Sequence, residues 1–265
     1  MKIVSWNIKH NQKKPIENIK KLLKYESADI YCFQEVNEKV LEFLKNQHQF
    51  QHHYDKEFTK IDSKTNKETH SYLIILSKEV IQNSGHVHII EPNKPISKLS
   101  KKLQKYSSMF EDYTAENAIY IDIKRLSDHK QFRIFNLHLK RFTTPKNRIH
   151  QFKKAIHSMD RTKENIFCGD FNILDSFLGK LTGTFFNSTL KDNFKYDERK
   201  KFNEILESHN LVNPFENKIT FDYKFILELQ LDHILIPHNM DINNLEVLDI
   251  NLFGSDHAPI MIEIK

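Results

Sequence analysis

Four stretches of this chain end an apolar run with an acidic residue beside an amide or a histidine. They are Ile30–Glu35, Ile166–Asn172, Leu229–His233 and Leu252–His257. A short run of β-branched and aromatic residues is typical of a buried strand. Because open α/β sheets place ligands at strand ends, carboxylates that recur there indicate one shared metal and phosphate site. A single such acid could be an ordinary strand-capping carboxylate, so the prediction depends on the recurrence.

Strands and helices alternate along the chain, with no internal repeat and no linker rich in glycine, serine or proline. Apolar spacing predicts strands Ile3–Trp6 and Ile30–Gln34 and helices Pro15–Tyr25 and Asn37–Asn46. Further strands are predicted at Tyr72–Leu76, Val87–Ile90, Ile119–Ile123, Phe132–Leu139, Asn165–Cys168, Gln230–Ile236, Leu245–Ile250 and Ala258–Ile264, and further helices at Lys146–Arg161 and Lys201–His209. At 265 residues, the chain is predicted to form one domain of mixed α/β type.

The composition permits a large core and gives only a weak indication of partners. Hydrophobic residues make up 39% of the chain, including 20 phenylalanines, which excludes a disordered composition. The formal charge of +5 is compatible with a polyanionic partner, but lysines dominate the basic residues and are typical of a solvated surface. Cys32 and Cys168 lie inside predicted strands, so we expect buried free thiols and not a disulfide framework.

The first predicted strand begins at once, and no apolar stretch suits a secretory leader or a transmembrane helix. A cytoplasmic location is therefore expected, although secretion without a cleaved leader stays open. Separately, we expect a monomer. The segments 97–116 and 176–200 carry no pattern that indicates a role.

Glycine is scarce, and two of the five glycines precede acids of the strand-end set. Gly169 lies just before Asp170, and Gly254 lies two residues before Asp256. Glycine lets the backbone turn sharply or approach a ligand closely, which a turn at a strand-end site requires.

Six short motifs in a fixed order resemble the endonuclease/exonuclease/phosphatase superfamily. They are Trp6-Asn7, Gln34-Glu35, Asn136-Leu137-His138-Leu139, Gly169-Asp170-Phe171-Asn172, Leu231-Asp232-His233 and Ser255-Asp256-His257. Each motif alone is weak, but the ordered set spans nearly the whole chain. The resemblance implies a single catalytic domain over residues 1–265. It also implies a four-layer αββα sandwich, in which two packed mixed β-sheets are flanked by helices.

The resemblance further implies a divalent-metal site for Mg²⁺ or Mn²⁺. Glu35 would be the main ligand, because a hard dication prefers carboxylate oxygen and keeps several waters. Asp256 would be a further ligand, and Asn7 would bind Glu35 or help to position the metal.

The same resemblance assigns five catalytic residues to in-line attack of water on a phosphate ester. His257 would act as a base or as a donor to the phosphate, oriented by Asp232. Asp170 would orient or activate the attacking water, and Asn172 would donate to a non-bridging oxygen. His138 would donate to the phosphate or protonate the leaving oxygen.

The substrate-binding candidates follow from one departure of the chain from the family pattern. Many relatives carry an arginine just before the strand that here begins at Asn117. Arg141 and Arg148 are therefore alternative phosphate clamps, and Asn117 is a weak substitute for the missing arginine. Asn136, in the third motif, is a further candidate.

Two other polar positions are open to more than one interpretation. Glu68 and His70 occupy a region where relatives place a partner for the equivalent of His138, although an exposed loop is the simpler interpretation. His233 follows Asp232 directly, and strand alternation would turn it away from that acid, so a structural role is expected.

A nuclease that acts on DNA or RNA is the leading hypothesis. The alternatives are a sphingomyelinase-like enzyme that cleaves a phospholipid headgroup, another phosphatase, and a non-catalytic binding module. The Trp-Cys-Asp-Arg run of inositol phosphatases is absent from Phe225–Asp232. A binding module is disfavoured because the acid, amide and histidine set is complete. An exposed apolar cluster at Phe177, Phe185 and Phe186 would favour a membrane substrate.

Overall fold

Two six-stranded sheets organise the part of the chain that the structure describes. The computed structural model describes residues 1–61, 68–89, 117–141, 143–174, 196–223, 227–249, 251 and 253–265. Several sequence predictions lie outside the described residues, namely the segment 97–116, residues 176–195 with Phe177, Phe185 and Phe186, and the strand ends at Ile90 and Ile250.

The described elements include the predicted ones in their predicted order and four further strands that were not predicted, Gln51–Ile61, Leu211–Val212, Phe221–Tyr223 and Leu227–Leu229. The strands are β1 Lys2–Asn7, β2 Ile30–Asn37, β3 Gln51–Ile61, β4 Glu68–Ser77, β5 Ile81–His88, β6 Asn117–Lys124, β7 Gln131–His138, β8 Glu164–Asp170, β9 Leu211–Val212, β10 Phe221–Tyr223, β11 Leu227–Leu229, β12 Asp232–Pro237, β13 Ile242–Val247 and β14 Ile260–Ile264. The helices are α1 Pro15–Tyr25, α2 Glu38–Lys45, α3 Pro145–His157 and α4 Glu198–Ser208.

Both large sheets are mixed. The first has the strand order β13-β14-β1-β2-β4-β3, and the second has the order β5-β6-β7-β8-β12-β9. In each sheet one central pair is parallel, β1 with β2 and β7 with β8, and the other ladders are antiparallel. Strands β10 and β11 form a separate small sheet.

The layers are held together by three apolar clusters. Inward-facing residues of both sheets, such as Ile75 and Ile134, form the core between them. Helices α1 and α2 cover the outer face of the first sheet, and α3 and α4 cover the outer face of the second. The predicted four-layer sandwich of two mixed sheets flanked by helices is confirmed. No helix in the described ranges has the length and apolar composition needed to cross a membrane.

Local sequence explains where the helices begin. Pro15 occupies the first turn of α1, where its missing N–H costs nothing. The side chain of Asn37 accepts a hydrogen bond from Val40 N at the start of α2, and Thr144 caps α3 in the same way. Cys32 and Cys168 are free and buried, as expected.

A buried amide pair joins the two sheets directly beneath their common edge. Gln34 Nε2 donates to Asn136 Oδ1 over 2.7 Å. Asn136 Nδ2 in turn donates to the carbonyl oxygens of Phe33 and Ile74, at 2.9 and 3.0 Å. Both amide side chains are fully buried. Because these bonds need one alignment of the sheets, they fix how β2 lies over β7.

A second buried polar cluster lies on the outer side of β6. Asp122 accepts two hydrogen bonds from Arg133, at 2.7 and 2.8 Å, and one from Lys163 at 2.9 Å. Burial alone would raise the pKa of Asp122, but the hydrogen bonds from Arg133 and Lys163 outweigh it and lower the pKa.

We expect Asp122→Asn to lower the free energy of unfolding by about 2 kcal/mol, because it leaves the partly buried Arg133 and Lys163 without a carboxylate partner. Since the folded pKa is depressed, this stabilisation is present above the unfolded pKa and is lost as the pH falls through the folded pKa. Urea unfolding at neutral and acidic pH measures both effects. Asp241→Asn, at an exposed pair with Lys265, is the control and should change little. A neutral result for Asp122→Asn would contradict the prediction.

Candidate active site

The side chains at the carboxyl ends of the parallel strands lie along one edge of the sandwich. Asn7 ends β1, His138 ends β7 and Asp170 ends β8, while Glu35 lies near the end of β2. Asp232 begins the antiparallel strand β12 and pairs with Asp170 in register. The strand order therefore brings residues far apart in sequence to one place, as a site at the carboxyl ends of sheet strands requires.

Asp170 lies at the centre of this edge, with only 2% of its surface exposed. Its Oδ2 accepts a hydrogen bond from Asn7 Nδ2 at 3.0 Å, which crosses from one sheet to the other. The Nε2 atoms of His138 and His257 lie 3.4 and 3.7 Å from the same oxygen. Asn172 N donates to the other oxygen, Oδ1, at 3.0 Å. Two imidazoles and an amide thus surround one carboxylate oxygen.

His257 is oriented by Asp232. Its Nδ1 lies 2.8 Å from Asp232 Oδ2, so Nδ1–H donates to the carboxylate and Nε2 faces Asp170. The ring also contacts Phe221, with centroids 4.9 Å apart. Burial alone would lower the pKa of His257, but the charges of Asp232 and Asp170 outweigh it and raise the pKa to about 9. The imidazole is therefore a proton donor at neutral pH.

His138 is oriented by Glu57, a residue that the sequence analysis did not identify. His138 Nδ1 hydrogen bonds to Glu57 Oε1, and Glu57 is 1% exposed. Glu57 Oε2 accepts from Glu35 N at 2.8 Å and from Ser71 Oγ at 2.9 Å. Burial alone would lower the pKa of His138, but the charges of Asp170 and Glu57 raise it to about 10.

Neither Glu68 nor His70 supplies this partner, and the simpler interpretation of an exposed loop is wrong because both residues lie in β4. His70 Nδ1 hydrogen bonds to Thr59 Oγ1 at 3.0 Å, and Glu68 is exposed. The partner comes from β3 instead, because the pairing of β3 with β4 carries Glu57 to the same strand end as His138.

We expect Glu57→Gln to lower kcat about 10- to 100-fold, less than the loss of a group that itself transfers a proton. Glutamine keeps the shape but removes a charge that raises the pKa of His138, so that pKa should fall. Steady-state hydrolysis of a phosphoester and NMR titration of the His138 ring measure the two effects. Glu68→Gln is the matched control. An unchanged His138 pKa would show that Glu57 does not tune this ring.

Glu35 and Asp256 lie on either side of the turn that follows β1. Asn7 Nδ2 donates to Glu35 Oε1 at 3.0 Å, and His10 N donates to Oε2 at 2.9 Å. In the same turn, Lys9 N donates to Asn7 Oδ1 at 2.9 Å, and Lys9 Nζ lies 2.9 Å from Asp256 Oδ2. The turn thus connects the two carboxylates, and Lys9 is a second residue of this edge that the sequence did not point to.

Glu35 is held ionised by its surroundings. Burial alone would raise the pKa of Glu35, but the charge of His138 and the hydrogen bonds from His10 N and Asn7 outweigh it and lower the pKa. An ionised carboxylate is the form that a metal ion binds.

The charge balance of the edge fits a divalent cation. Three basic side chains, Lys9, His138 and His257, face five carboxyl groups, those of Glu35, Glu57, Asp170, Asp232 and Asp256. An excess of carboxylate in a partly buried site is what a hard dication neutralises. Donor atoms of Asp170, Asp232 and His257 also lie within 4.8 Å of one another, so this trio could hold an ion too.

The backbone around the acids is strained in three places. Glu35, Lys9 and Asn172 adopt left-handed conformations, with φ of 56°, 62° and 52°. Asparagine tolerates this region, but glutamate and lysine rarely do. At Glu35 the strain coincides with a bulge in the ladder between β2 and β4, which interrupts the pairing where the side chain enters the site.

Two of the substrate-binding candidates are buried and use their polar atoms in hydrogen bonds within the protein. Arg148 is 1% exposed and forms hydrogen bonds of 2.7 and 3.0 Å to Glu198, which ties α3 to α4. Asn136 uses its side-chain atoms in the bonds between the sheets. Neither side chain is placed to contact a phosphate, so both positions favour a structural role.

The other two candidates lie near His138 and His257. The guanidinium of Arg141 lies 5.8 Å from the ring of Phe221, which contacts His257. Asn117 begins β6, next to the end of β7, and its Nδ2 donates to Asp55 Oδ2 at 2.9 Å. His233 is buried against the rings of Phe171 and Phe202, as strand alternation predicts.

A family model described as Endonuclease/Exonuclease/phosphatase family matches residues 4–257. The chain belongs to this family. Members of the endonuclease/exonuclease/phosphatase family are hydrolases that act on phosphoester bonds and generally depend on a divalent metal. No curated protein matches the sequence.

Solved structures of the endonuclease/exonuclease/phosphatase family share the fold at low sequence identity. A family protein from Leptotrichia buccalis C-1013-b is 16% identical, with a TM-score of 0.67 and coverage of 100% of this chain and 99% of that one. The human Nocturnin catalytic domain with bound sulfate is also 16% identical, with a TM-score of 0.67 and coverage of 100% and 94%. The mannosyl-6-phosphatase Bt3783 of Bacteroides thetaiotaomicron VPI-5482 is 17% identical, with a TM-score of 0.60 and coverage of 100% and 99%.

Proposed function

We propose that this chain is a divalent-metal-dependent phosphodiesterase that cleaves DNA or RNA by in-line attack of water. The observation that carries the proposal is the convergence of Asn7, His138 and His257 on one oxygen of Asp170. This arrangement offers a proton acceptor and several hydrogen-bond donors to a phosphate group.

Glu35 and Asp256 would hold Mg²⁺ or Mn²⁺, with Asn7 fixing the Glu35 carboxylate. When bound, the ion would neutralise charge that develops on the phosphate oxygens. We favour this set over the trio of Asp170, Asp232 and His257, because His257 Nδ1 and Asp232 Oδ2 are already joined by a hydrogen bond.

Asp170 would orient the attacking water and accept its proton. Asn7 Nδ2 and Asn172 N hold its two oxygens, which fixes the direction from which the water approaches. The second amide hydrogen of Asn172 Nδ2, whose first hydrogen bonds Leu139 O, would donate to a non-bridging oxygen.

The two histidines would donate protons to the substrate. His257, with its Nδ1–H on Asp232, presents Nε2 to the phosphate, and His138 does the same with its Nδ1 on Glu57. Their raised pKa values keep both rings protonated at neutral pH. One imidazolium would stabilise a non-bridging oxygen while the other protonates the leaving oxygen.

Substrate contacts would come from Arg141 and Asn117, the two candidates that lie at this edge. The formal charge of +5 supports a polyanionic substrate. Since both sheets contribute to the site, we also propose that residues 1–265 form one catalytic domain. The cytoplasmic location and the monomeric state stay predictions.

The test is a hydrolysis screen with Mg²⁺ or Mn²⁺ on single- and double-stranded DNA, RNA, sphingomyelin vesicles and sugar monophosphates. We expect cleavage of a nucleic acid that EDTA abolishes and that Glu35→Gln and His257→Ala both strongly reduce. Activity that survives both substitutions would overturn the mechanism. Cleavage confined to sphingomyelin or to a monoester would overturn the substrate, and no activity on any substrate would favour a binding module.

A further inference from the structure

Thr220 lies immediately before β10, and its side chain bonds to the start of β12. Its hydroxyl oxygen accepts two backbone hydrogen bonds, from Leu231 N at 3.0 Å and from Asp232 N at 2.9 Å. Its own N–H donates to Leu229 O at 3.0 Å. Since Thr220 is only 1% exposed, its hydroxyl is not placed to contact a substrate and acts on the protein alone.

The backbone of Thr220 holds the segment that carries His257. Ala258 N, next to His257 in the chain, donates to Thr220 O at 2.7 Å. Phe221, the residue after Thr220, forms a β-bridge with His257, and the two rings are 4.9 Å apart between centroids. Thr220 therefore bonds to Asp232 through its hydroxyl and to the neighbour of His257 through its carbonyl.

The pair of Asp232 and His257 needs such a contact. The two residues are 25 positions apart in the chain, and one hydrogen bond of 2.8 Å, between His257 Nδ1 and Asp232 Oδ2, joins their side chains. The carboxylate orients the ring, so the ring cannot by itself fix the carboxylate. A relative shift of about 1 Å between the two segments would lengthen this bond and turn Nε2 away from Asp170.

We propose that Thr220 is a positioning residue of the active site, whose hydroxyl and carbonyl hold the segments of Asp232 and His257 in register with each other. Its expected effect on catalysis rests on the proposed function, whereas its effect on the hydrogen bond of His257 does not. A threonine that only closed the turn between β10 and β11 would need no more than its N–H bond to Leu229 O. That role leaves unexplained why one buried hydroxyl accepts two amides of β12.

The first test compares Thr220→Val and Thr220→Ser with the wild type. Valine keeps the shape of the side chain and lacks the hydroxyl, and serine keeps the hydroxyl. Two-bond ¹H–¹⁵N spectra of the metal-free chains at pH 7 report the hydrogen bond at His257 Nδ1, and the signal is assigned by its loss in His257→Ala. We expect this signal to change in Thr220→Val and to match the wild type in Thr220→Ser.

The second test is steady-state hydrolysis of the best substrate of the wild type. Thr220→Val should lower kcat about 10-fold with KM unchanged, because the hydroxyl orients a reacting group and does not bind substrate. Thr220→Ser should restore kcat to within about twofold of the wild type. A threonine with a purely structural role would lower the Tm when replaced by valine, without changing the His257 signal or the kcat of the folded protein.

Ser77→Ala is the matched control. Ser77 is also a fully buried hydroxyl that bonds to the backbone, to Glu79 O at 2.7 Å, but it lies at the last residue of β4. Its loss should lower the Tm and leave the His257 signal and kcat as in the wild type. Circular dichroism checks that each variant is folded.

An unchanged His257 signal or an unchanged kcat in folded Thr220→Val would overturn the proposal. The same holds if Ser77→Ala changes the His257 signal as much as Thr220→Val does. If the wild type hydrolyses no substrate, the proposed function fails, and the His257 signal alone decides the role of Thr220.

Discussion

Replacing Asp170 by asparagine is expected to lower kcat for phosphoester hydrolysis by about 10³-fold with little change in KM. The amide keeps the shape of the side chain but cannot accept the proton of the attacking water. It also places a neutral group where His138 and His257 now face a carboxylate oxygen. The loss should therefore appear in the chemical step and not in substrate binding.

A second measurement distinguishes a catalytic loss in Asp170→Asn from a folding defect. The charge of Asp170 is one cause of the raised pKa of His138, which is about 10 in the metal-free protein. We therefore expect NMR titration to give a lower His138 pKa in Asp170→Asn, while circular dichroism shows that the variant is folded. Asp241→Asn removes the same charge from an exposed ion pair with Lys265 and is the control. Wild-type kcat in Asp170→Asn would show that Asp170 takes no part in the reaction.

The largest expected effect on stability is at Gly169. We expect Gly169→Ala to lower the free energy of unfolding by about 4 kcal/mol or more. A Cβ at this position would lie 1.8 Å from the carbonyl oxygen of Leu137, and the φ of 141° is one that other residues rarely adopt. Relief would require β7 and β8 to separate, which would displace His138 and Asp170 from each other.

Gly85→Ala is the matched control. Its Cβ would also meet a neighbour, but that neighbour is the hydroxyl end of Tyr120, which can move, and Gly85 has no positive φ. Urea unfolding should therefore show a much smaller loss for Gly85→Ala than for Gly169→Ala. Equal losses, or a fully stable Gly169→Ala, would contradict the steric explanation.

Apolar periodicity predicted most of the elements because most of them bury one face. The bounds of α1 were predicted without error, and the strand pair β6 and β7 was predicted within a few residues. Strand β3 was missed since its inward positions include His53, Asp55 and Glu57, which interrupt the alternation that identifies a strand. Such polar inward positions are tolerated only because another chain segment supplies their partners.

The same limit applies to the site. Acids at strand ends were visible in the sequence because they follow apolar runs, and the strand order brings Asp170 and Asp232 into register. Pairings between distant segments were not visible. No sequence feature near Arg148 indicates that its guanidinium hydrogen bonds to Glu198, fifty residues later. Nothing local to Glu57 indicates that it orients a histidine.

The amide pair of Gln34 and Asn136 has a consequence for how this molecule could diversify. Its hydrogen bonds lock the sheets in one alignment directly below the reacting groups. Chain segments around this edge could therefore lengthen, shorten or be exchanged without shifting the atoms that perform the reaction. A protein with these contacts between its sheets could acquire new substrates through changes in the surrounding segments while it keeps the same reacting groups.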